Sequence, residues 1–241
     1  MFPFFLYSHR GNYETIRKGS ESLDIEFIKE YTPMYVEAAK LTIGIALVGI
    51  ILSLMIGLVC SIIQYYKVPA LKRIVAVYIE LSRNTPLLVQ LFLLYFGLPK
   101  AGIKLGSVAC AIIGLSFLGG SYMAEAFRSG LESVEKTQLE SGLSIGLSHR
   151  QVMTNVIFPQ ALSMSIPALC ANIIFLIKET SVFSVVALAD LMYVAKDLIG
   201  LYYNTNEALL MLVIAYLILL LPISIIAALL ERRLRYAGFG N

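Results

Sequence analysis

The stretch "EKTQLESGLSIGLSHRQVMTNVIFPQAL", residues 135–162, lies between long apolar segments, yet it opens with charge, carries spaced glycines and runs into a proline. A plain polar turn needs none of this. Thr137-Gln138-Leu139-Glu140 has the T-x-x-E form of a capping box, in which the threonine side chain caps a helix and the glutamate reaches back to its first N–H. Leu139, Leu143 and Gly146 fall on one face at helical spacing. Gly146 then offers a helix end, because glycine enters the left-handed region without steric cost. Ser148-His149-Arg150-Gln151 repeats the capping form as S-x-x-Q, so a second helix starts there, and Pro159 interrupts it. The local physics predicts a short helix, a glycine turn and an incoming membrane helix with a bend. An ordinary capped loop would show the same local signals.

The flanks place this stretch in a membrane. Of 241 residues, 58% are hydrophobic and 15% charged, against about 25% charged in an average soluble domain. Segments 41–66, 84–99, 105–124, 151–177 and 208–230 are nearly charge-free. A helix crosses a bilayer with about 20 apolar residues. Four of these segments suffice alone, and 84–99 is lengthened by the preceding "IVAVYIELSR". The expectation is an all-α integral membrane fold with five transmembrane helices. An odd number puts the two ends on opposite sides. Lys and Arg concentrate on the cytoplasmic side. "ERRLR" at the C-terminal end and "QYYKVPALKR" in the first loop therefore point inward, with Arg128, Lys136 and Arg150. The N-terminus then faces outside.

The expected organisation is an N-terminal tail over 1–35, a transmembrane domain over 36–235 with the ordered loop at 134–150, and a short tail over 236–241. "MFPFFLY" lacks the leading charge and cleavage site of a signal peptide. Within 22–34, Leu23, Phe27, Tyr31 and Met34 share one face, which suits a helix lying in the bilayer interface. A partly disordered tail is the competing reading for residues 1–20. Cys60, Cys110 and Cys170 sit inside apolar runs without CxxC spacing, as small buried residues do. The net charge of +3 makes no case for nucleic acid.

The spacing inside the opening stretch carries more. Glu140, Gly146 and Pro159 in "ESGLSIGLSHRQVMTNVIFP" resemble the EAA loop of ABC importer permeases, patterned E-A-A-x3-G-x9-I-x-L-P. Ser141 and Gly142 stand for the alanines, Val156 for Ile and Phe158 for Leu. Glycine inside a helix costs about 1 kcal/mol relative to alanine, so Gly142 is the least expected of these. "ELSRNTPLLVQLFLLYFGLP" (80–99), "SYMAEAFRSGLESV" (121–134) and "LIKETSVFSVVALADL" (176–191) are similar to the polar amino-acid branch, with Asn84 where a glycine is usual. The resemblance spans roughly residues 40–195 and implies a type I importer permease. It implies that the loop is a coupling helix docking into a cytoplasmic ATPase subunit through Glu140, Ser141, Gly142, Gly146 and Pro159. It also implies a second permease chain, identical or similar, and an extracytoplasmic solute-binding protein that delivers the cargo.

Other residues carry expectations of their own. Thr85-Pro86 should break a helix, which a bilayer tolerates only beside protein or a water-filled cavity. Glu80 and Arg83 are spaced to pair on one helix face, as are Glu125 and Arg128. Ser165, Asn172 and Glu179 recur every seven residues. That spacing makes either a polar stripe along a substrate path or, at Lys178-Glu179, a helix end reaching water. There is no G-x4-G-K-[ST] loop. This chain therefore supplies no ATP site, the resemblance implies that ATP and magnesium belong to a partner subunit, and no cofactor or catalytic residue is expected here. His9 and His149 are the histidines, without metal or nucleophile spacing. An ion-driven secondary transporter and a non-transporting membrane subunit remain the rivals. Neither requires the 135–162 loop.

Overall fold

The computed structural model describes residues 23–238, with side chains up to residue 233. The expected tail over 1–20 and the last three residues lie outside this range. Helix α1 (Ile25–Tyr65) is followed by α2 (Leu71–Arg83) and α3 (Leu87–Phe92). A π-helical turn (Leu93–Gly97) and a 3-10 turn (Leu98–Ala101) come next. Then come α4 (Ser107–Ser133), α5 (Lys136–Ser144) and α6 (His149–Val152). A second π-helical turn (Met153–Ile157) leads into α7 (Phe158–Glu179) and a 3-10 segment (Thr180–Val186). Helices α8 (Leu191–Tyr202) and α9 (Thr205–Gly238) complete the chain.

Among the described residues, four helical stretches are long and apolar enough to cross a bilayer: Ile25–Tyr65, Ser107–Ser133, His149–Val186 and Thr205–Arg233. The expected fifth is split. Leu71–Arg83 and the shorter apolar stretch Leu87–Ala101 meet at Asn84-Thr85-Pro86, because Pro86 has no N–H to continue the ladder. Proline also explains both π turns. Each ends two residues before a proline, Pro99 and Pro159. The wider turn lets the carbonyls bond past the position where a proline N–H is missing.

No helix boundary falls near residue 35. Asp24 caps α1, accepting from Phe27 N at 3.0 Å, and the helix runs on through Pro33. The expected interfacial helix is instead the first turns of α1. Its face packs on protein: Phe27 and Tyr35 are buried beside Leu191, Leu198 and Ala208. Tyr35 donates to Ala208 O at 2.7 Å. Leu23 and Met34 stay exposed.

The core is built the way membranes demand. Along α1 the buried face is Gly49, Ser53, Gly57 and Ser61, one small residue per turn. The exposed face is Leu47, Ile51, Met55 and Val59. Lipid is as apolar as leucine, so helices associate by close packing of small residues. Helix α1 lies along α4, whose Gly119 is so close that a Cβ there would stand 2.1 Å from Ser53 Oγ. Helix α4 in turn crosses α7 at Gly130, where a Cβ would meet Ser165 Oγ at 1.9 Å and Ala161 O at 2.4 Å.

Gly130→Ala is expected to lower thermal stability in detergent by about 1–3 kcal/mol through overpacking. Gly44→Ala, where a Cβ meets nothing within 4 Å, should be neutral or stabilising. Thermal melts of the two variants test the crossing.

Candidate functional site: the broken helix and its cavity

The break at 84–86 strands carbonyl groups that a continuous helix would have paired. Gln90, buried one turn into α3, answers them: its side-chain amide donates to Ser82 O at 3.2 Å and to Thr85 O at 2.9 Å. Thr85 Oγ1 donates to Leu81 O at 2.8 Å. Asn84 Nδ2 donates to Glu80 O at 2.8 Å and to the Glu80 carboxylate at 3.1 Å. Ser82 and Tyr78 anchor α2 to α4 by donating to Phe117 O at 3.0 and 2.7 Å.

A cavity of about 310 Å³ opens beside the break, lined by Arg83, Asn84, Thr85, Tyr122, Phe175 and Glu179, among others. It is at the small end of the range for ligand sites, roughly 300–1,000 Å³. Arg83 stacks its guanidinium 5.2 Å from the centre of the Tyr122 ring, a cation–π geometry. The expected Glu80–Arg83 pair does not form. Glu80 is taken by Asn84, and Arg83 reaches across to Glu125 at a loose 3.9 Å. Arg128 holds that same glutamate, and also Glu132 at 2.7 Å, on α4. Across the cavity Glu179, half-buried at the end of α7, has no ion-pair or hydrogen-bond partner among the described residues.

The stripe read from the sequence divides along α7. Glu179 faces the cavity. Asn172 stands behind its wall, donating to Tyr122 O at 3.1 Å, and Tyr122 packs on Phe175 with ring centres 5.0 Å apart. Ser165 is at the α4 crossing and donates back to Ala161 O. The structure thus brings Glu179 together with Thr85 and Pro86 and leaves Asn172 and Ser165 outside the cavity lining. Gln90 was missed, although a glutamine four residues after a proline in an apolar run is itself a signal of backbone repair.

The loop at 135–162 folds as two helices with corrected starts. Helix α5 begins at Lys136 with Glu135 as a cap that makes no side-chain bond. Thr137, expected as the cap, donates to Glu135 at 3.0 Å. The second capping box forms: Ser148 N donates to Gln151 Oε1 at 2.9 Å, and the serine oxygen accepts from Gln151 N. Gly146 ends α5 at φ 89°. Gly142 also finds its reason. It is buried on Val152, and a Cβ there would lie 2.7 Å from Val152 Cγ2. The glycine lets α5 lie directly on α6 and the π turn leading to Pro159. Glu140, Ser141, Leu143 and Ile145 remain exposed on the outer surface.

Residues 49–236 match the family described as the binding-protein-dependent transport system inner membrane component. A probable glutamine ABC transporter permease protein of Bacillus subtilis is 37% identical over 73% of this chain and 83% of its own length. The glutamine transport system permease protein of Escherichia coli is 32% identical over 84% of this chain and 94% of its own. A crystal structure of an amino acid ABC transporter with histidines superposes with a TM-score of 0.83, at 30% identity, over 88% of this chain and 99% of that one.

Gln90→Leu should destabilise the break by about 1–3 kcal/mol, the penalty for unpaired buried polar groups. Hydrogen exchange at amides 80–92 should rise before global unfolding, while exchange within Gly49–Ser61 stays unchanged.

Proposed function

Since the chain belongs to the binding-protein-dependent transport system inner membrane components and is a membrane permease of an ABC importer, we propose that polar amino acids are its cargo and that the Arg83–Glu179 cavity receives them. The carrying observation is the pair of opposite charges on the two walls of one cavity. An amino acid presents a carboxylate and an ammonium group. Arg83, only loosely held by Glu125, offers its planar donors to the carboxylate. Glu179 offers its carboxylate to the ammonium. Thr85 and Asn84 leave room for polar side chains. Asn172 acts through Tyr122, and Ser165 keeps α7 at its crossing with α4. The relatives named for glutamine support a neutral polar cargo.

Two such chains, identical or similar, enclose the pathway. A solute-binding protein delivers the amino acid from outside, and separate ATPase subunits, carrying ATP and magnesium, dock on α5 from the cytoplasm. The N-terminus then faces outward and the C-terminus inward, in line with the basic residues Lys136 and Arg150 on the docking side. The exposed outer surface of α5 supports helix-in-groove docking. Force enters at Glu140 and Ser141, crosses the Gly142–Val152 contact, and passes along α7 from Pro159 to Glu179. ATP shifts the conformational balance because it binds one state of the ATPase pair better than the other.

Glu179→Gln should reduce glutamine uptake by reconstituted transporter about 10–100-fold at low cargo concentration. That is the effect of losing a charged hydrogen bond of roughly 1.5–3 kcal/mol, and ATPase co-purification should be intact. Unchanged uptake would remove Glu179 from the pathway. Gly142→Val should uncouple ATP hydrolysis from uptake, and Val152→Ala added to it should restore part of the coupling. If the second change restores nothing, the force route does not pass through this contact.

A further inference from the structure

Arg83 reaches the cavity with its donors uncommitted. Among the described residues its guanidinium makes no hydrogen bond. Two soft contacts locate it: the Tyr122 ring, 5.2 Å to its centre, and Glu125 Oε2 at 3.9 Å, which is beyond hydrogen-bond reach. Glu125 does not depend on Arg83 in return. The Arg128 guanidinium meets both of its oxygens, Nε donating to Oε2 at 3.4 Å and Nη2 to Oε1. Arg128 Nη1 donates to Glu132 at 2.7 Å. Residues 125, 128 and 132 recur at helical spacing on one face of α4, so the three side chains form a fixed row that ends beside Arg83.

The charges alternate along this row: negative at Glu132, positive at Arg128, negative at Glu125, positive at Arg83. Glu179 stands across the cavity. An amino acid between the two walls continues the alternation, its carboxylate on Arg83 and its ammonium on Glu179. Two arginines against three glutamates leave one negative charge in excess. Lys178 and Glu80, neighbours of opposite sign, are both exposed and outside the cavity lining.

We propose that Glu125 is a specificity-determining residue: its charge, fixed by Arg128 behind the cation that meets the cargo carboxylate, makes the cavity reject amino acids with acidic side chains and accept neutral ones. This rests on the cargo reading above and names the side-chain class that the cavity takes. Glu125 is a positioning residue, acting through Arg83 and through its own field. Arg83 compensates one carboxylate. A second carboxylate in the cargo meets the excess negative charge, while Arg128 is taken by its two glutamates. An uncompensated charge away from bulk water is costly. Without the Glu125 charge the excess is gone and Arg128 is half released, so an acidic side chain becomes tolerable.

Glutamine and glutamate have nearly the same shape and differ by an amide against a carboxylate, which makes them the probes. The test is displacement of labelled glutamine from the assembled transporter in lipid nanodiscs, without a solute-binding protein, so that the cavity alone selects. In the unmodified transporter glutamate should compete at least about tenfold less well than unlabelled glutamine. Glu125→Gln should narrow that ratio by about tenfold, and Glu125→Asp, which keeps the charge, should preserve it. Loosened packing weakens both competitors alike and does not move the ratio. Equal competition in the unmodified transporter overturns the proposal without any variant. An unchanged ratio in Glu125→Gln, or the same narrowing in Glu125→Asp, overturns it too. Glu179→Gln separates the two readings. If it weakens glutamine binding while Glu125→Gln leaves the ratio unmoved, the cavity stands and the selector falls. If it leaves glutamine binding unchanged, the cargo is not in this cavity and both fall.

Discussion

A backbone carbonyl or N–H left unpaired inside a bilayer costs several kcal/mol, and the organisation of this chain follows from that constraint. The break at Asn84-Thr85-Pro86 would be untenable without Gln90, whose amide serves two carbonyls at once. Thr85 and Asn84 turn their side chains back on the preceding turn for the same reason. Once the backbone is satisfied, Gln90 Oε1 stays buried without a partner among the described residues, and the charged groups that line the cavity are Arg83 and Glu179. They stand on opposite walls of one cavity. The helix break therefore does two things with one proline: it opens the cavity, and it leaves a cation at the rim.

Packing supplies the second constraint. Helices α1, α4 and α7 approach through Gly49, Gly57, Gly119 and Gly130, at distances that leave no room for a Cβ. Such crossings do not deform gradually, because close-packed interfaces resist small displacements. Helix α5 is joined to this frame by the same device, with Gly142 on Val152. Helix α5 is thus held directly against α6 and the π turn before Pro159, with no long side chain between them. Helix α9 is different. Its lipid-facing side is large and apolar at Val213, Leu217, Ile218 and Leu221, and it meets the rest through α7, α8 and the start of α1. Polar contacts such as Tyr35 to Ala208 O matter more there.

Much of this was legible in the sequence, and the misses have physical reasons. The EAA-like spacing identified the family, and the Ser148–Gln151 box formed because both partners are local. Thr137 failed as a cap because the helix begins two residues earlier than that cap requires, with Glu135 in the cap position and accepting from the Thr137 hydroxyl. Residues 22–34 looked interfacial because their apolar face is real. What the pattern does not reveal is whether lipid or protein covers that face, and Leu191, Leu198 and Ala208 cover it. The seven-residue spacing of Ser165, Asn172 and Glu179 put them on one face but not on one surface. Helix α4 packs along the lower part of this face of α7, so Ser165 meets Gly130, Asn172 meets Tyr122 O, and Glu179 alone of the three reaches the cavity. The small residues at 49, 53, 57 and 61 were visible as a four-residue period and would have located the α1–α4 crossing.

Three carboxylates show how position assigns their work. Glu125 lies between Arg128 and Arg83, so its charge is met within the protein and it serves to orient Arg83. Glu179 borders open space without a partner among the described residues, so its charge is available to something that arrives. Asp190 is closed off from water, with one oxygen accepting from Tyr193 N and the other without a partner among the described residues. Nothing in residue type distinguishes the last two; Glu179 and Asp190 are eleven positions apart in one continuous stretch. The difference comes from the left-handed turn at Ala187, which carries the chain away from the cavity and under α9. The two carboxyls therefore sit in different surroundings within one connection, Glu179 at the edge of a cavity and Asp190 under apolar cover.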